Sequence, residues 1–189
     1  MASLKPRTVP YRRRREGRTN YKKRLSTLIS MPLRLVVRFT NKKIIAQLIE
    51  FKPAGDVVLA TVSSEELSKK GWPYSCKNIP AAYLTGFLFA KSVKGKEDSQ
   101  IVLDAGSRSP SKKGKVYAFL KGVLDGGLKI PAGENIFPSA ERLSGKHIAD
   151  HSALLKKNGA ESSLFTQYLK KNASAELMVS TFEKVKKSL

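Results

Sequence analysis

Leu33-Arg34-Leu35-Val36-Val37-Arg38-Phe39 alternates without a break: Leu33, Leu35, Val37 and Phe39 point one way, Arg34, Val36 and Arg38 the other. A period of two makes this a β-strand with one face for a hydrophobic core and one basic face. Thr40-Asn41-Lys42 supplies a tight polar turn. Residues 43–51 then read as a second strand, apolar on both sides and so central in its sheet. Pro53-Ala54-Gly55-Asp56 is a second turn, leading to a third strand over residues 57–62. Short turns between successive strands imply an antiparallel meander.

Helical periodicity begins downstream. Ser63 or Ser64 can cap a short helix over residues 65–70, closed by Gly71. Asn78 can cap a long helix with Pro80 near its start. Ile79, Ala82, Tyr83, Gly86, Phe87, Ala90 and Val93 fall on one face of that helix, and Leu84 and Leu88 widen the stripe toward the sheet. Residues 95–98 read as a polar loop and residues 100–103 as a short buried strand. Residues 106–115, carrying Lys112, Lys113 and Lys115, read as a flexible basic loop. Val116, Phe119, Leu120, Val123 and Leu124 mark a second core helix, ended by Gly126-Gly127. Residues 130–139 are a Pro- and Gly-containing loop, residues 141–151 a short helix, and residues 152–189 hold two more helical stretches. The expectation is an α/β (α+β) fold. An antiparallel meander joins a mixed sheet packed by two main helices, with a basic N-terminal extension and C-terminal helices. The division is an arm over residues 1–30, a globular core over 31–150 and a helical extension over 151–189.

Charge narrows the function. The 189 residues carry 36 Lys and Arg against 15 Asp and Glu, a formal charge of +21, while a 41% apolar fraction suffices for a core. Such an excess is self-repulsive in a compact chain unless a polyanion neutralises it. It is concentrated in residues 1–25, where Lys5, Arg7, Arg12, Arg13, Arg14, Arg15, Arg18, Lys22, Lys23 and Arg24 face Glu16 alone. This density predicts an arm that is largely disordered until it meets phosphates, which each guanidinium can grip bidentately. Tyr11 and Tyr21 flank the cluster and offer rings for base stacking, worth about 1–3 kcal/mol per base. No apolar run approaches the ~20 residues of a transmembrane helix. The N-terminus has no secretory h-region. The arm also lacks the Leu, Phe and Trp of an amphipathic membrane anchor. A single cysteine, Cys76, cannot form an internal disulfide, which fits a reducing compartment.

Nothing in the chain assembles into an active site. His147 and His151 are four apart, but the residues between them, Ile148, Ala149 and Asp150, lack the glutamate of a zinc-protease helix, and no third ligand is evident. There is no phosphate-binding Gly-rich loop and no Gly-x-Ser-x-Gly elbow. No cofactor, metal or small-molecule substrate is expected. Trp72, the only tryptophan, suits equally a plug for the core or a platform for a partner.

Five colinear blocks then become recognisable. Tyr11-Arg-Arg-Arg-Arg-Glu-Gly-Arg-Thr-Asn-Tyr-Lys-Lys-Arg-Leu25 resembles the N-terminal arm of the archaeal and eukaryotic large-subunit ribosomal proteins that bind 5S ribosomal RNA. Arg34-Leu-Val-Val-Arg38 with Ile44-Ile-Ala-Gln47 matches the same family. So do Asn78-Ile-Pro-Ala-Ala-Tyr-Leu-Thr-Gly86, Leu120-Lys-Gly-Val-Leu-Asp-Gly-Gly-Leu128 with Ile130-Pro131, and Gly145-Lys-His-Ile148. Residues 73–77 and Ala132 depart from the family pattern, and residues 152–189 match only loosely. The resemblance implies a structural protein of the cytoplasmic ribosome, seated on 5S rRNA in the central protuberance. Its partners would be 5S rRNA, the large-subunit rRNA and neighbouring ribosomal proteins. The RNA-facing residues expected are Tyr11 to Arg15, Arg18, Tyr21 to Arg24, Arg34, Arg38, Asn41, Lys42, Lys43, Lys112, Lys113, Lys115, Lys146 and His147. A general architectural nucleic-acid binder is the alternative.

Overall fold

The computed structural model describes residues 9–30, 33–93, 95, 100–106, 109–157 and 165–189. Most of the expected 95–98 loop, and residues 107 and 108 of the basic loop, lie outside this set. Two helices, α1 (Arg12–Arg15) and α2 (Tyr21–Ser30), precede the sheet. Strand β1 (Leu33–Phe39) pairs antiparallel with β2 (Ile44–Glu50), placing Leu35 opposite Leu48 and Val37 opposite Ala46. Strand β2 pairs antiparallel with β3 (Val57–Ser63), with a register shift between Leu48 and Ile49. Further along the chain, β4 (Ile101–Asp104) returns parallel to β1, giving the order β3-β2-β1-β4. The expected mixed sheet is therefore present, with β1 and β2 central.

The alternation of β1 explains what lies behind the sheet. Leu35, Val37, Ile44, Ala46, Leu48, Val62 and Ile101 are all buried in one core. Against them lies α4 (Ile79–Ser92), which follows the short helix α3 (Glu66–Lys69). The expected cap of α4 forms: Asn78 Oδ1 accepts from the Ala81 amide at 2.8 Å, with Pro80 in the first turn. The helix is buried from Ile79 through Gly86 and again at Phe89 and Ala90. Its outer side is covered by α5 (Lys115–Asp125), so an apolar stripe alone would not have sufficed. Glycine permits this crossing. A Cβ on Gly86 would overlap the Phe119 carbonyl oxygen, and one on Gly122 would overlap that of Tyr83. The Tyr83 hydroxyl donates to Asp125 Oδ2 at 2.8 Å, and burial together with that carboxylate raises its pKa well above an ordinary phenol.

Local details refine the sequence reading. At the start of α3, Ser63 faces the helix: its hydroxyl accepts from Glu65 N, while its own amide donates to Glu66 Oε1. Ser64 instead accepts from the Ile44 amide within the sheet. Trp72 is a plug for the core, 1% exposed, with Nε1 donating to the Ser75 carbonyl. The single helix expected over residues 141–151 is two helices, α6 (Ala140–Ser144) and α7 (Lys146–Lys157). They break at Gly145, whose φ of +88° suits glycine, and where a Cβ would press on Met178 Sδ and Pro80 Cγ. After α8 (Thr166–Leu169), helix α9 (Met178–Ser188) buries Met178, Phe182 and Val185, with Phe182 5.5 Å from the Tyr83 ring. The C-terminal segment thus docks on the main core.

Gly86→Ala or Gly122→Ala should separate α4 from α5 and cost about 2–3 kcal/mol. A fall in urea midpoint at unchanged m-value checks this; an unchanged midpoint would mean that the helices do not touch through these glycines.

Candidate nucleic-acid interface

The arginine run is more ordered than charge density predicts. Arg12–Arg15 form α1, and the chain turns at Gly17, with the Arg18 and Thr19 amides donating back to the Arg13 carbonyl. Glu16 sits between Arg12 and Arg18, 3.6 and 3.0 Å from their Nε atoms, and Arg13 Nε donates to the Thr19 hydroxyl at 2.9 Å. Asn20 then caps α2, its Oδ1 accepting from the Lys23 amide. Tyr11 and Tyr21 close the unit with ring centroids 5.5 Å apart. The expectation of an arm without structure is therefore corrected over residues 11–30. One glutamate shared between two arginines and two polar turns supply the local order that net charge hides. The guanidiniums still face outward, since Arg12, Arg13, Arg14, Arg15 and Arg18 are all exposed.

The sheet's outer face holds a chain of alternating charges. Arg34, placed there by the β1 alternation, is only 4% exposed. Its Nη2 lies 2.8 Å from Asp56 Oδ2 and its Nη1 3.4 Å from Asp104 Oδ2. Asp56 comes from the turn before β3 and Asp104 from the end of β4. The same Asp56 carboxylate accepts two bonds from Arg24 Nη2, at 2.9 and 2.8 Å, which ties α2 to the sheet. Arg38 donates to the Asp104 carbonyl at 2.9 Å and approaches its carboxylate at 3.5 Å. Arg34 is thus not an open RNA contact as the alternation suggested. A buried cation needs carboxylates, and it has recruited two. Arg38 keeps about half of its side chain in solvent.

Between arm and sheet lies a cleft of about 140 Å³. Arg13, Arg18, Lys23 and Arg24 line it from the arm, Arg34 and Arg38 from β1, and Asp104 is the acid among its walls. Thr19, Asn20 and Thr27 add neutral donors. Such a surface suits an anion with several acceptor oxygens, a phosphodiester above all.

The remaining expected contacts are spread more widely. Asn41 and Lys42 are exposed at the β1–β2 turn, while Lys43 Nζ pairs with Glu65 at 2.8 Å. Lys112, Lys113 and Lys115 are exposed before and at the start of α5, with Lys113 held at φ +56° and its amide bonded to the Ile136 carbonyl. Lys146 Nζ pairs with Glu141 at 2.8 Å, and that carboxylate raises its pKa. His147 is exposed on α7, and its pKa is lowered, first by the desolvation of its ring and then by Arg142, so it adds little cationic charge at neutral pH. Asp56, Asp104, Thr19 and Asn20 escaped the sequence reading. Asp56 looked like an ordinary turn residue, and nothing local tied it to Arg34, 22 residues away. Among the described residues no three His, Cys, Asp or Glu side chains gather as metal ligands, and no helix is long and apolar enough to cross a membrane.

Cationic arm, sheet-face cleft and α/β core define a nucleic-acid-binding protein of the structural kind. The family model described as "Ribosomal large subunit proteins 60S L5, and 50S L18" matches residues 6–100. The chain is 47% identical over 178 residues to the large ribosomal subunit protein uL18 of Korarchaeum cryptofilum (strain OPF8), covering 94% of this chain and 91% of that protein. It is 41% identical over 183 residues to the uL18 protein of Thermofilum pendens (strain DSM 2475 / Hrk 5), covering 96% and 93%. The chain belongs to this family of large-subunit ribosomal proteins. It is a non-enzymatic, RNA-binding constituent of the cytoplasmic ribosome, with rRNA and ribosomal proteins as partners.

Asp56→Asn removes the carboxylate shared by Arg24 and Arg34. With Asp104 still present, the expected loss of stability is about 2–3 kcal/mol, less than the full cost of stranding a buried charge. Amide exchange of residues 21–30 should accelerate at the same time. Unaltered exchange there would mean that Asp56 does not hold α2.

Proposed function

We propose that this chain binds 5S rRNA and anchors it to the large rRNA in the central protuberance of the subunit. The observation that carries this reading is the cleft in which four arm cations, Arg13, Arg18, Lys23 and Arg24, converge with the half-exposed Arg38 of β1. It joins the segment most like the 5S-binding family's arm to the basic face of β1. The arm, residues 1–30, runs along one stretch of RNA backbone. Its contacts are Arg12, Arg13, Arg14, Arg15, Arg18, Lys22, Lys23 and Arg24, with Tyr11 and Tyr21 available to unstacked bases. Arg38, Asn41, Lys42 and Lys43 meet RNA from the sheet and its first turn. Lys112, Lys113, Lys115, Lys146 and His147 lie on other surfaces and face the large rRNA or neighbouring proteins.

The energetic basis is release of condensed counterions. About eight phosphate contacts give a log–log salt slope of about −6 to −7. Structured RNA is recognised by shape, exposed loops and 2′-hydroxyls, which an adaptable arm beside a fixed sheet can follow.

Changing Arg12, Arg13, Arg14 and Arg15 together to alanine should leave the core folded. It should weaken 5S rRNA binding strongly and make the salt slope shallower by about 3. Gel-shift titration with a 5S rRNA transcript at several salt concentrations reads both quantities. Unchanged affinity would contradict the role given to the arm, and equal competition by duplex DNA would favour a general architectural binder.

A further inference from the structure

A second cleft, of about 390 Å³, shares no lining residue with the first. It lies where the β1–β2 turn, the segment after Trp72 and the end of α8 meet. Lys42, Lys77 and Lys171 come from these three places, and no acidic side chain lines it. The three lysines are exposed, and none forms an ion pair within the described residues. Lys43, next to Lys42, is by contrast already matched by Glu65.

The support beneath these lysines is rigid. Tyr74 is 2% exposed and packs edge-on against Trp72 at 5.1 Å and Tyr168 at 5.3 Å. Its hydroxyl donates to the Ser174 carbonyl at 2.6 Å. Lys171 sits in a turn whose amides bond back to the Tyr168 and Leu169 carbonyls, with Asn172 at φ +52°. Asn41, Ser75 and Gln167 add neutral hydrogen-bonding groups to the walls. Exposed cations with amide and hydroxyl neighbours match the phosphates and base or sugar edges of one nucleotide strand.

We propose that this cleft binds a second segment of RNA backbone, distinct from the segment held by the arm. It would give the C-terminal extension an RNA contact through Lys171. The inference rests on the RNA-binding reading above; it shares Asn41 and Lys42 with that reading and adds Lys77 and Lys171.

The sole cysteine makes the site directly measurable. Cys76 lines the cleft and is half-buried, its Sγ 3.5 Å from Ser68 Oγ. Iodoacetamide alkylation of Cys76 is followed in the intact protein, alone and saturated with 5S rRNA transcript, then with a large-rRNA transcript added. Loss of reactivity on adding RNA is expected, and the transcript that causes it identifies the source of the strand. Lys77→Ala combined with Lys171→Ala should restore reactivity and flatten the salt slope by about 1.5–2, while arm-dependent binding persists and Trp72 fluorescence is unchanged. Full reactivity in a complex saturated with both RNAs would overturn the inference and leave the arm's role intact. So would protection that survives the double substitution, or protection by poly-L-glutamate but not by RNA, which would assign the cleft to an acidic protein. Failure of the intact protein to bind either RNA would remove both readings.

Discussion

A guanidinium buried on the outer face of the sheet sets the terms for everything around it. Arg34 cannot sit at 4% exposure without compensation. The chain compensates with Asp56 and Asp104, drawn from the turn before β3 and from the end of β4. That single requirement locks the parallel edge strand onto the antiparallel meander. It also leaves one carboxylate, Asp56, able to hold Arg24 and thereby α2. Even so, Arg34 Nε has no acceptor among the described residues, so the site is tolerated rather than ideal.

The same network sorts the arginines into two classes. Arg34 serves the sheet. Arg12, Arg13, Arg14, Arg15 and Arg18 remain at the surface, where a partner's phosphates can replace water around them. Arg24 and Arg38 stand between the classes, each held by an aspartate yet each lining the cleft. Helix α2 is joined to the sheet by this ionic link while Leu25 and Ile29 stay exposed. Exposed ion pairs contribute little and weaken with salt, so an arm held this way can be repositioned by RNA without breaking the core.

Much of the fold was readable in advance because its signals are local. The alternation of β1, the turns after it, and the Asn78-Ile79-Pro80 start of α4 are each decided within a few residues. Gly86 and Gly122 could be placed on helices, but their mutual purpose depends on two helices crossing. The fate of Arg34 was hidden for a similar reason: its partners lie 22 and 70 residues along the chain. Treating each arginine of an alternating strand as an RNA contact therefore overcounted by one. Treating the arginine run as unstructured undercounted, since Glu16 and Asn20 sit inside it and order it. The break at Gly145 was missed because the side chains that exclude a Cβ there, Pro80 and Met178, lie far from it along the chain in either direction.

The division between a structural arginine and RNA-facing ones can be observed atom by atom. Arginine Nε–Hε resonances of the ¹⁵N-labelled chain, recorded with and without 5S rRNA, measure it directly. The signals of Arg12, Arg13, Arg14, Arg15 and Arg18 should shift on complex formation, while that of Arg34 stays where it was. An Arg34 signal that shifts on adding RNA, or arm signals that do not respond, would contradict the account.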